Sequence, residues 1–160
     1  MRHLLTCGAL LVLLTGCGGD VDVDDEKVEL LRIHRADIQA HLDGDVDGLL
    51  ATIPETMLLV GDGNVYWQPR EKLREFFTDY LEGAEYSRYV DLMVPHAEVS
   101  ADGTMGWVVS RMAVERSEPD PAGGRHDRTF TYAGIMTYQK RDGRWMKVAN
   151  VSTFVPDTPE

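Results

Sequence analysis

The chain has 160 residues, which fits one ordinary domain and not two. Hydrophobic residues at 43% and charged residues at 27% describe a globular protein, not a disordered one. With 27 Asp and Glu against 16 Lys and Arg, the net charge of -11 excludes a reader of nucleic-acid phosphates and an electrostatic dock on anionic lipid, so any hold on a membrane must be hydrophobic or covalent.

Arg2 and His3 open the chain, and residues 4–14 form an apolar run broken only by Thr6 and Gly8. A run this short cannot cross a hydrocarbon core, which takes about 20 residues, but it matches the apolar stretch of a secretory signal peptide. Leu14-Thr15-Gly16-Cys17 follows and resembles the lipobox of bacterial lipoproteins. That resemblance implies cleavage of a signal peptide over 1–16 and acylation, palmitate included, of Cys17 as the mature N-terminus. The implied partner is the lipid bilayer and the implied address is the cell envelope. Gly18, in place of Asp, points to the outer membrane facing the periplasm where the organism has one. Once residues 1–16, with Cys7, are removed, Cys17 is the only cysteine, so no intrachain disulfide can form.

Residues 17–26 read as the acylated cysteine and an acidic tether, kept extended by its own carboxylates. A domain over 27–155 and a short tail over 156–160 complete the chain. The first predicted helix covers 27–43, with Val28, Leu31, Ile38 and Leu42 on one face. Gly44 suits its C-terminal stop, and Asp45 can cap a second helix over 46–53, halted by Pro54. Short strands over 57–60 and 65–67 flank the turn Gly61-Asp62-Gly63-Asn64, and Pro69 opens a third helix lined by Leu73, Phe76, Phe77, Tyr80 and Leu81.

Strands follow over 88–100, 104–116, 128–140 and 145–154, with turns at Asp102-Gly103 and Asp142-Gly143 and a polar loop over 117–127. Helices first and antiparallel strands afterwards predict an α+β layer fold. On 104–116, Trp107, Val109 and Ala113 alternate with Val108, Met112 and Val114; on 128–140, Phe130, Tyr132, Met136 and Tyr138 alternate with Ala133 and Ile135. Both faces of the sheet are therefore apolar, and a homodimer through the outer face is expected.

Three stretches carry a family resemblance: residues 42–50 around the Gly44-Asp45 corner, Val65-Tyr-Trp-Gln-Pro-Arg-Glu-Lys-Leu-Arg-Glu-Phe-Phe77 into the third helix, and Asp142-Gly-Arg-Trp-Met-Lys-Val-Ala-Asn-Val-Ser152 along the last strand. Their order resembles the nuclear-transport-factor-2-like superfamily, in its SnoaL-like branch. The resemblance implies a cone-shaped half-barrel, a curved and mostly antiparallel sheet wrapped around three N-terminal helices, with a pocket on the concave face. The superfamily includes ketosteroid isomerases, polyketide cyclases, dehydratases and plain binding domains, and fold alone does not choose among them.

Isomerase chemistry is disfavoured at the matching positions. The family's first-helix tyrosine falls near Asp37, and its base falls near Val60, with Asp62 in the turn the nearest carboxylate. His34, Asp37 and His41 could form an acid–base group, but read more simply as the polar border of an amphipathic helix, Asp37 pairing with either histidine. The two histidines lie roughly 10.5 Å apart along the axis, too far to share a metal. Asp43, Asp45 and Asp47 with Gly48 match half of a calcium loop, yet Pro54 stands where its bidentate Glu belongs, and helix capping explains them better. No catalytic residue, metal or cofactor is assigned.

The remaining candidates are pocket walls. Trp107 and Arg111 share a strand face and could cradle a carboxylate or planar ligand, with Asp91 the internal alternative as partner for Arg111. Asn150 and Ser152 share a face of the last strand, and Trp67, His96 and Tyr132 are weaker additions. The expected function is a ligand- or protein-binding domain of the envelope, its partner an unknown small molecule or envelope protein. The alternative is a small isomerase, dehydratase or hydrolase using an Asp/His pair in the cone.

Overall fold

Asp22 fixes where the first helix begins. Its side chain accepts from the backbone N–H groups of Asp24 and Asp25 at 3.1 and 3.2 Å, and α1 runs Val23–Asp43. The computed structural model describes residues 21–155, so the predicted signal peptide, Cys17 and the tail over 156–160 lie outside the described residues. Helix α1 starts earlier than the apolar spacing indicated. Asp24, Asp25 and Glu26, read from sequence as tether, form its first turn, where the helix dipole favours carboxylates. Glu26 also reaches the sheet, accepting from Trp145 Nε1 at 2.6 Å and pairing with Lys140.

Gly44 ends α1 with a left-handed φ of 66°, and Asp45 Oδ1 accepts from Gly48 N at 2.9 Å to cap α2 (Val46–Leu50). The Asp-rich corner is thus used for capping, as its residues predicted. A hairpin of β1 (Thr56–Gly61) and β2 (Asn64–Pro69) leads into α3 (Arg70–Leu81), with Pro69 at its N-cap. The strand predicted over 88–100 is two strands, β3 (Glu85–Asp91) and β4 (His96–Val99), separated at Pro95. The long pair β5 (Met105–Pro119) and β6 (Arg125–Arg141) absorbs most of the loop predicted over 117–127, because Ser117, Glu118 and Pro119 pair with Asp127, His126 and Arg125. The last strand is β7 (Arg144–Phe154).

The sheet order is β2-β1-β7-β6-β5-β3, with β4 also on β5. Every ladder is antiparallel except β1–β7, in which Leu58–Val60 run parallel to Ala149–Val151. The curved, unclosed sheet and its N-terminal helices make the α+β half-cone expected. Its inner face on β5 is Val108, Ser110, Met112 and Val114, at most 1% exposed. Helix α1 crosses that strand at Gly106, where a Cβ would stand 2.6 Å from Leu30 Cδ1. Leu30, Ile33, Val108, Tyr138 and Trp145 pack together there, and Leu50, Ile53, Met57 and Leu73 form a second cluster under α3.

One irregularity in β7 matters for the site. Thr137 pairs with Ala149, but Tyr138 pairs with Lys147, so Val148 is an extra residue in the ladder. The bulge resets the alternation. Lys147 and Asn150, three apart and of opposite parity, both face inward as a result.

The outer face carries two apolar rows across the strands. Trp67, Leu58, Ala149, Thr137 and Trp107 form one; Val65, Val60, Val151, Ile135 and Val109 form the other. Trp67 and Val65 are more than 60% exposed.

Candidate cavity site

Between the helices and the inner sheet face lies a cavity of about 580 Å³, within the range of small-molecule sites. It exists partly because small residues line up across the sheet. Ser110 pairs with Gly134, Gly134 with Ser152, and Gly61 lies beside Ser152. A Cβ on Gly134 would meet Val151 O at 2.9 Å, so that position takes no side chain without shifting backbone. The walls are largely apolar and aromatic: Ile38, Leu49 and Ile53 from the helical side, Phe76, Phe77 and Tyr80 from α3, and Met57, Met112, Phe130 and Met136 from the strands.

Helix α1 supplies the polar end. Its buried face is Leu30, Ile33, His34 and Ala40, while Val28 is 61% exposed and Leu42 39%. The stripe read from sequence was rotated. His34, Asp37 and His41, which the apolar spacing sets on a polar border, all line the cavity. His34 Nε2–H donates to Asp91, with oxygens at 2.9 and 3.1 Å. Asp37 pairs with Lys147 Nζ, and the two side chains are 17% and 9% exposed. His41 Nδ1–H donates to the backbone carbonyl of Asp37 at 2.8 Å, not to its carboxylate. Burial pushes the His41 pKa below its ordinary value, which outweighs the raising effects of the Asp37 carbonyl and carboxylate. The ring stacks on Tyr89 at 4.6 Å.

Tyr89 and Tyr132 share a hydrogen bond of 2.7 Å between their hydroxyls. Burial, chiefly, raises both phenols, Tyr132 to about 12 and Tyr89 well above its usual range, so neither ionises near neutral pH. One ion pair, one imidazole–carboxylate hydrogen bond and one phenol pair thus hold these groups. Among the described residues, His41 Nε2 has no hydrogen-bond partner, and neither has the buried Oδ1 of Asn150. No group of three or more His, Cys, Asp or Glu among the described residues could hold a metal.

The structure brings Tyr132, Asn150 and Ser152 into the cavity wall. It does not bring the others there. Arg111 is exposed on the outer face and forms no ion pair among the described residues; Asp91, proposed as its partner, is bound to His34. Trp107 shares that outer face, its ring 5.3 Å from His96, and Trp67 stands 64% exposed on β2. Asp62 sits in the exposed β1–β2 turn. The reason is the same for Trp107 and Arg111: alternation sorts residues into two faces without saying which face the helices cover. Sequence reasoning missed Lys147 as a wall residue because of the Val148 bulge. It missed Tyr89 because nothing in the β3 segment sets it apart.

No family model matches the chain, and no curated protein matches it in sequence. Solved structures do match in fold. A candidate dehydratase of the nuclear-transport-factor-2-like family from Streptomyces avermitilis has a TM-score of 0.66 at 14% identity, covering 82% of this chain and 97% of that one. A ketosteroid isomerase-like protein from Erwinia carotovora atroseptica gives 0.58 at 18% identity, with coverages of 84% and 99%. A nuclear-transport-factor-2-like protein of unknown function from Pseudomonas putida gives 0.60 at 9% identity, with coverages of 84% and 89%. The chain has the nuclear-transport-factor-2-like fold.

Proposed function

We propose that this domain binds an apolar small molecule in its cone cavity and is held in the cell envelope by lipid on Cys17. The observation that carries the binding reading is the pairing inside the cavity. Lys147 is neutralised by Asp37 and the Asp91 carboxylate is hydrogen-bonded by His34, so an apolar guest strands no unpartnered charged side chain, and the walls offer it aromatic and aliphatic contact. Native mass spectrometry of the protein from its own host should show a mass above that of the chain and its acyl groups, lost on denaturation. A bare mass from every preparation would count against the reading.

The anchor rests on the short apolar run ending at Leu14-Thr15-Gly16-Cys17. Cys17→Ser should shift the protein from the detergent phase to the aqueous phase on phase partitioning of whole cells. Wild-type protein already in the aqueous phase would refute lipidation.

A second copy is the proposed cover for the outer sheet face. The two rows there are apolar or Thr in a chain of net charge -11, and a two-fold axis lets one such face match itself. Light scattering on residues 18–160 at micromolar concentration should give twice the chain mass, and Val109→Glu should halve it; a wild-type monomer sinks the proposal.

One observation favours a second reading, that of a small isomerase, dehydratase or hydrolase: His41, kept neutral by burial, has a free ring nitrogen in the cavity. Against it, the cavity carboxylate Asp37 and the carboxylate on His34 are both already paired.

A further inference from the structure

The hydrogen-bonding of one half-buried ring narrows the kind of molecule the cavity takes. The Asp37 carbonyl can only accept, so His41 Nδ1 carries the hydrogen in their 2.8 Å bond. A neutral imidazole has one N–H, which leaves Nε2 as a bare acceptor. The ring cannot turn away to find water, because it is stacked on Tyr89 at 4.6 Å and meets the edges of Phe77 and Tyr86 at 6.3 and 6.4 Å. Asn150, also in the cavity wall, has a buried Oδ1 without a partner. Once a guest displaces water from the cavity, one that donates to Nε2 is favoured over an isostere that leaves it unpaired.

Resting on the reading of the cavity as a binding site, we propose that its guest is an apolar alcohol whose hydroxyl donates to His41 Nε2. The other polar classes fit less well. A carboxylate would bring a charge to a cavity whose buried cation, Lys147, is already held by Asp37. An ammonium would bring a charge to a cavity whose carboxylate, Asp37, is already held by Lys147. A ketone can only accept, and so leaves Nε2 unpaired. An alcohol donates to the imidazole, and its oxygen can accept the one O–H that the Tyr89–Tyr132 bond leaves over.

The test uses the mature chain, residues 17–160, with Cys17→Ser so that no detergent competes for the cavity. N-Phenyl-1-naphthylamine serves as a fluorescent apolar reporter, displaced in turn by decahydro-2-naphthol, 2-decalone and decalin. These three differ at one position only. The alcohol should displace the reporter about tenfold more tightly than the ketone or the hydrocarbon, the worth of one buried hydrogen bond. His41→Phe, which keeps an aromatic ring against Tyr89, should level the three. Equal displacement by all three in the wild type overturns the alcohol assignment and leaves the cavity reading standing. A ketone preferred over the alcohol, or an alcohol preference that survives His41→Phe, also overturns it. Failure of the reporter and of all three guests to bind overturns the cavity reading itself. Should His41→Phe not fold, the wild-type ratio of alcohol to ketone decides alone.

Discussion

Lys147→Met should lower the stability of the folded domain by about 3–5 kcal/mol, while Lys147→Met with Asp37→Asn should recover most of that loss. The single change leaves a carboxylate, 17% exposed, at the back of an apolar cavity with its cation gone. The positive charge of Arg116 does not replace it, because that guanidinium is bound to Glu118 and to the Tyr80 carbonyl. Removing both charges leaves two neutral groups of nearly unchanged volume. Urea midpoints of the wild type, both single variants and the double variant form the required cycle. If the double variant is as unstable as Lys147→Met alone, the pair is not what the lysine provides, and the fit of its buried side chain becomes the better account.

Arg116→Lys should be nearly as damaging as Arg116→Met, each costing about 2–4 kcal/mol. The Arg116 side chain is 4% exposed, with its guanidinium 3.9 Å over the Tyr80 ring. One terminal nitrogen donates to Tyr80 O at 3.0 Å and to the Tyr86 hydroxyl at 3.1 Å, and the other pairs with Glu118. A lysine has the charge but neither the flat face nor the fork. Because Tyr80 belongs to the last turn of α3 and lines the cavity, the loss should be local as well as global. Amide exchange at residues 78–82 should rise in both variants before the β5–β6 ladder loosens. A lysine variant as stable as the wild type would show that charge alone holds α3 to the sheet.

Much of the architecture was legible because turn and cap chemistry is local. Gly44-Asp45, Asp62-Gly63, Asp102-Gly103 and Asp142-Gly143 mark stops and hairpins by conformations that depend on two or three residues. The cavity was less legible, for two physical reasons. On α1, the middle of the buried stripe is His34, Asp37 and His41, whose partners come from β3, β7 and the helix's own backbone. Counting apolar side chains therefore tilted the axis toward Val28 and Leu42, which face water. On β5, both faces carry apolar residues, and only one of them meets the helices. The larger residues, Trp107 and Arg111, sit on the outside, while the inside holds Val108 and Ser110. Tyr132, Asn150 and Ser152 lie in the cavity wall, on one face of strands whose alternation is unbroken down to the bulge.

The single parallel ladder has a consequence for how the chain is made. The β1–β2 hairpin adds to the sheet only through Leu58–Val60 against Ala149–Val151, about ninety residues further on. A chain emerging N-terminus first holds that hairpin before its docking strand exists, and a lone hairpin is marginal in water. Synthesis halted anywhere short of β7 thus yields a species with an apolar strand edge at Leu58–Val60 and an open cavity, however well β5 and β6 have paired. Such a chain stays open to aggregation until β7 arrives, and truncation before β7 should produce aggregates instead of a smaller folded core.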